Sequence, residues 1–266
     1  MPTMTPKDRY FDIYKQHWGK PTASSLRRNR YLNHLLLGLL RSARNLGHHP
    51  IPDVYIGEVR SDQFQARVFD ADEGHLILIH QGLFLFAAQA IQIFASVLEL
   101  TFDGIVEPLS MPFDEAKALF IKLTNAFTSE SAFHAVCRLT HNRNEFSGGL
   151  AVGFLEFVIA HEVAHILCGH CKNVARVRYF GFDKLSLEQE FEADITAMLL
   201  LKELKKKFVF EASVYYAPAI FFELAFTLRK RQSHHQITSH PHPTARLSRL
   251  IAKLVLRESL AMYFST

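Results

Sequence analysis

Between Leu150 and Cys168 the chain is apolar at nearly every position, and its only strongly polar side chains are Glu156, His161, Glu162 and His165. A helix that is apolar on almost every side belongs in a core. Two imidazoles and a carboxylate would be costly to bury there without partners, and a bound cation would answer that cost. The order of the residues supports this. His161-Glu162-Val163-Ala164-His165 is an HExxH pentapeptide, and on a helix residues four apart are rotated by only about 40°, so both imidazoles reach one metal from one face. Glu162 stands beside them, placed to take a proton from a metal-activated water.

A zinc site needs a third protein ligand and, for catalysis, a fourth position left open for water. With fifteen histidines in 266 residues, an HExxH can also arise by chance, so the third ligand carries weight. Leu187-Glu188-Gln189-Glu190-Phe191-Glu192-Ala193-Asp194 offers four carboxylates. Ser186 followed by Gln189 reads as a capping box, which predicts a helix from about Leu187 through the Met198–Leu201 run. On it Glu190 and Asp194 share a stripe with Leu187, Phe191, Met198 and Leu201, whereas Glu188 and Glu192 point about 160° away, toward water. Glu190 is the expected third ligand, and Asp194 is placed to accept the free ring N–H of His161. A plain capped acidic helix start would not explain carboxylates on the apolar stripe.

These residues resemble the gluzincin metallopeptidases of the CAAX-prenyl-protease and HtpX-like type, whose pattern is HExxH, ExxxD and a His-Pro segment with an arginine. Here the counterparts are His161 to His165, Glu190 to Asp194, and His240-Pro241 with Arg246. Upstream, Gly74 to Leu83 is similar to the family strand that ends in a Gly-Leu turn. The resemblance covers most of residues 51 to 250. It implies a zincin-like metallopeptidase core, Zn2+ held by His161, His165 and Glu190, and Glu162 as general base. It implies Asp194 behind a ligating histidine, and His240 and Arg246 at the metal as gate or oxyanion donors. His242 rivals His240, because the His-Pro pair is repeated, and a rigid turn opening a helix is the bland alternative. The chain departs from the family in the long stretch between Leu83 and His161, in the short gap from His165 to Glu190, and in lacking evident membrane-spanning helices, so CAAX processing is not carried over. A weaker similarity is to phage-exclusion peptidases of the Lit type, which also carry HExxH.

The expected chemistry is hydrolysis of a protein or peptide by a zinc endopeptidase, with strand His75–His80 offering its edge to an extended substrate. Two other classes compete with it. One is a non-catalytic zinc-stabilised binding or regulatory module, and the other is a metal-free helical scaffold. Cys168-Gly169-His170-Cys171 spells a CxxC, but it follows His165 toward a helix C-terminus, where the dipole raises thiol pKa, so a redox role is disfavoured. His170 could in principle replace Glu190 as a ligand, but it is rotated well off the His161–His165 face.

Three cysteines fit a reducing compartment better than a disulfide framework. No secretory signal is apparent at residues 1–10. The apolar stretches 83–98, 150–160 and 213–228 are each short or interrupted by polar residues, so core helices are expected rather than membrane spans, with room left for a peripheral membrane contact. A cytoplasmic location follows as the expectation. The net charge of +4 is mild. The basic clusters at Arg27–Arg30, Lys202–Lys207 and Arg229–Arg231 come with no nucleic-acid module, so no nucleic-acid partner is expected.

The pattern predicts an α+β, mostly helical fold with a small sheet beside the HExxH helix. It reads as one domain over residues 1–266: a helical lead (1–48), a small sheet (49–82), a helical insertion (83–147) and the zinc-site helices (148–266). The lead's main helix should open at Ser24 or Ser25 and end at Gly47. Helices are expected near 83–100, 113–127, 129–140, after Gly148-Gly149, and near 187–207, 211–231 and 244–262.

Overall fold

The computed structural model describes residues 4–102, 104–129, 137–173, 187–206 and 212–232. Among these residues the protein is mostly helical with two small sheets, an α+β arrangement.

Two helices lead the chain. In α1 (Pro6–Trp18) Thr5 Oγ1 accepts from the Asp8 amide at 3.2 Å and proline occupies the first turn, both standard ways to start a helix. In α2 (Ala23–Asn45) the cap is Thr22, not the expected Ser24 or Ser25. The Thr22 hydroxyl accepts from the Ser25 amide, while the Ser24 and Ser25 hydroxyls bond back to Thr22. Gly47, at φ 89°, follows the helix end.

The three-stranded sheet contains β1 (Val54–Val59), β2 (Ala66–Ala71) and β3 (Gly74–His80), in the order β1-β3-β2. β3 runs parallel to β1 and antiparallel to β2. It is therefore the central strand, paired on both sides, and cannot offer an edge to a substrate as the sequence suggested. Its Leu76-Ile77-Leu78-Ile79 run is buried on both faces: Ile77 and Ile79 join the main core, while Leu76 and Leu78 pack with Tyr10 and Tyr14 of α1. Gly57 of β1 lies under the Tyr10 ring, where a Cβ would collide with it.

The outer edge of β1 is closed by α2. Asn29 Oδ1 accepts from the Glu58 amide at 2.8 Å, and Asn33 bonds both the amide (3.2 Å) and the carbonyl (2.6 Å) of Ile56. One helical turn of four residues rises about 6 Å and two strand residues about 6.6 Å, so asparagines at i and i+4 match strand positions i and i+2. Among the described residues β2, on the other side, pairs only with β3.

Helix α3 (Gln81–Val97) starts directly from β3, and a hairpin the sequence did not suggest follows it, β4 (Leu100–Phe102) with β5 (Ile105–Glu107). α4 (Phe113–Thr128) comes next. Residues 137–140 are not helical, contrary to expectation, and the rest of the helix expected near 129–140 lies mostly outside the described residues. Helix α5 (His141–Leu167) begins about two and a half turns earlier than Gly148-Gly149 suggested, because Thr140 caps it and both glycines are accommodated inside it. α6 (Leu187–Lys205) and α7 (Ala212–Gln232) follow, and the helix expected over 244–262 lies outside the described residues.

α5 is the centre of the molecule, packed against α3, α6, α7 and β2. By length and composition it could cross a membrane, yet 72% of its most apolar window is buried inside the fold. Its N-terminal end is held by Arg143, which is wholly buried. The guanidinium donates to the carbonyls of Ala95, Leu98, Glu107 and Pro108 and lies 3.4 Å from the Glu107 carboxylate, tying α5 to the hairpin.

Candidate metal centre and active site

The C-terminal half of α5 and the first two turns of α6 face each other, and their polar residues meet. His161, His165, Glu190 and Asp194 are 6%, 4%, 0% and 1% exposed. Nε2 of His161 lies 3.0 Å from Nε2 of His165, and Glu190 places one oxygen 3.5 Å from His161 Nε2 and the other 3.7 Å from His165 Nε2. Ligands about 2.0–2.1 Å from a tetrahedral zinc are separated by roughly 3.3 Å, and the nitrogen–nitrogen distance and the distance from each carboxylate oxygen to its nearer nitrogen are close to that spacing. Two imidazoles and a carboxylate are also the donor types that zinc takes, and together they form a group able to hold a metal ion. On the other side of His161, Nδ1 is 3.0 Å from Oδ1 of Asp194, which leaves Nε2 turned toward His165 and Glu190. The α6 stripe read from the sequence therefore brings Glu190 and Asp194 to the histidines. Ser186, its expected cap, lies outside the described residues, as do His240, His242 and Arg246.

Aromatic packing lines one side of the site. Phe157, one turn before His161, is fully buried, lies 6.3 Å from the His161 ring, and contacts Phe221 and Phe222 of α7. An apolar wall of this kind strengthens the electrostatic interactions beside it.

Glu162 is half-buried, one position along α5 from the ligand face. Its charge is felt by Arg67 of β2 and by Cys171. Burial lowers the Arg67 pKa, and Glu162 opposes that shift. Arg67 in turn adds to the burial that pushes His80 down to about 4. Sequence reasoning did not single out Arg67, because nothing local distinguishes an arginine on an alternating strand; its meaning comes from β2 packing on α5.

The CxxC thiols are not activated. Burial pushes Cys171 up to about 12, with the negative charges of Asp70 and Glu162 adding to it. Burial likewise raises Cys168, which caps the C-terminus of α5, and its contact with Thr196 only partly offsets the shift. His170 does not reach the metal position; it sits behind His165, ring nitrogen to ring nitrogen at 2.9 Å.

Residues 114–264 match the model of a family described as Peptidase U49. No curated protein and no solved structure matches the chain. Of the two resemblances read from the sequence, the match carries the one to Lit-type peptidases. It spans more than half of the chain and includes the HExxH helix and α6, so the protein belongs to the peptidase U49 family, whose substrates are proteins or peptides.

Proposed function

We propose that the protein is a zinc-dependent endopeptidase of gluzincin type, with His161, His165 and Glu190 holding the metal. The observation that carries this reading is the buried His161–His165–Glu190 cluster, with 3.0–3.7 Å between neighbouring donor atoms. Bound there, zinc would polarise a scissile carbonyl and make a water molecule acidic enough to be deprotonated near neutral pH. The Asp194 carboxylate, 3.0 Å from His161 Nδ1, favours the ring proton on that nitrogen and leaves the Nε2 lone pair for the metal position. Glu162 takes the water's proton and passes it to the leaving amine nitrogen. It is half-buried, so a substrate can reach it.

The extended substrate adds to the outer edge of β2. Two observations favour β2 over β1: β1 is closed by Asn29 and Asn33, and β2 carries Arg67 within electrostatic reach of Glu162. From the resemblance alone, His240, or His242 in its place, and Arg246 would stabilise the oxyanion.

The test compares wild type with Glu162→Gln for zinc content and for hydrolysis of an unstructured protein such as casein. The substitution should leave about one zinc per chain and lower the hydrolysis rate by about 10²–10⁴-fold. Zinc-loaded wild type that cleaves nothing, with Glu162→Gln equally silent, would favour a non-catalytic zinc module. An active Glu162→Gln protein would sink the mechanism.

A further inference from the structure

A histidine that binds a metal through one ring nitrogen is set by whatever holds the other. For His161 the partner is Asp194. At His165 the neighbour is a second imidazole: Nδ1 of His165 stands 2.9 Å from Nδ1 of His170, and Nε2 of His170 stands 3.1 Å from Oε2 of Glu192. His170 is 4% exposed, and the Glu192 side chain is 62% exposed. The chain of contacts therefore runs from solvent to the back of a metal ligand. We propose that His170 and Glu192 are positioning residues that hold His165 in its zinc-binding tautomer. The proposal rests on the zinc-peptidase reading above.

The argument is a proton count. A neutral imidazole carries one N–H, and two Nδ1 atoms in hydrogen-bond contact share one proton between them. If His165 carries it, the Nε2 lone pair of His165 faces His161 and Glu190. His170 Nδ1 then accepts, and the His170 proton sits on Nε2, where it donates to the Glu192 carboxylate. If His170 carries it instead, the bare Nε2 lone pair of His170 confronts a carboxylate oxygen at 3.1 Å, and an N–H on His165 points into the metal position. The Glu192 charge selects the first arrangement. Proton count also decides the role of a neighbouring cluster. Cys168, His170 and Glu192 offer donor atoms within 4.8 Å of one another, but a His170 protonated at Nε2 has no lone pair left for a second metal. One zinc per chain is expected, not two.

The test uses the full chain loaded with Zn2+, with affinity read by chelator competition and ring protonation by long-range 1H–15N spectra. Glu192→Leu should weaken zinc binding about 10-fold and His170→Phe about 10–100-fold, the range for removing such supports, with Glu192→Gln, which keeps an acceptor oxygen, between wild type and Glu192→Leu. His165 should be protonated at Nδ1 and His170 at Nε2. Glu192 is at the surface, so its variants should unfold thermally like wild type when metal-free, even if His170→Phe folds poorly. Unchanged zinc affinity in Glu192→Leu, the opposite tautomers, or a second zinc lost on Cys168→Ser would each overturn the relay while leaving the peptidase reading standing. Failure of wild type to bind zinc would instead overturn both.

Discussion

Burial at the residue scale acts on His80 as a pH sensor of stability. Its imidazole, at the junction of β3 and α3, is pushed from the ordinary 6.5 down to about 4, mainly by burial and secondarily by the charge of Arg67. A folded pKa below the unfolded one means that the folded state prefers the neutral ring and the unfolded chain binds more protons between the two values. The associated stability is present above about pH 6.5 and is lost as pH falls toward about 4, by roughly 2–3 kcal/mol. Denaturant unfolding at pH 7 and pH 4.5 should therefore show a larger acid loss in wild type than in His80→Gln, and equal losses would refute the assignment. Glu190 and Asp194 were legible in the sequence for a similar reason, since carboxylates on an apolar helical stripe are too costly to be incidental. Arg67 and Glu192 were not. Each has an ordinary local context, and Glu192 was correctly read as facing water without its contact to His170 being visible.

At the scale of elements, α5 is built around two unlike ends. The C-terminal end carries the histidines, and the N-terminal end carries Arg143, whose guanidinium satisfies four carbonyls at the junction of α3 and the β4–β5 hairpin. Removing a wholly buried cation strands those carbonyls and takes the counter-charge from the Glu107 carboxylate, which keeps its bonds from Thr140 and Asn142. Arg143→Ala should cost about 3–5 kcal/mol, measured as a lower denaturation midpoint, and a loss below about 1 kcal/mol would refute its role as the tie. Sequence reading placed the start of α5 after Gly148-Gly149, because glycines are poor helix interior residues. Packing of α5 into the core outweighs a penalty of about 1 kcal/mol per glycine, and the Thr140 cap sets the true start. The hairpin escaped notice because three-residue strands carry almost no periodic signal.

For the whole molecule, the candidate site joins α5 to α6, so a bound metal would tie together the two helices at the centre of the core. Ligand binding to the folded state alone stabilises it by about 4 kcal/mol at a free concentration a thousand times Kd, or roughly 8–16 °C in Tm for a chain of this size. Chelation should lower the Tm of wild type by that order and leave His161→Ala unaffected, as followed by circular dichroism; a chelator-insensitive Tm would count against a metal in the core. The sequence by itself determined the helical core, the HExxH face and the acidic stripe, because helical periodicity fixes which side chains share a face over four to eight residues. It also carried the weaker of its two family resemblances, the one to Lit-type peptidases. Only the tertiary structure decided that β3 is central, that α2 closes one sheet edge and leaves β2 as the other, and that Glu192 reaches His170. Those facts depend on contacts between separate segments of the chain, and no local pattern encodes which strand pairs with which or which carboxylate meets which imidazole.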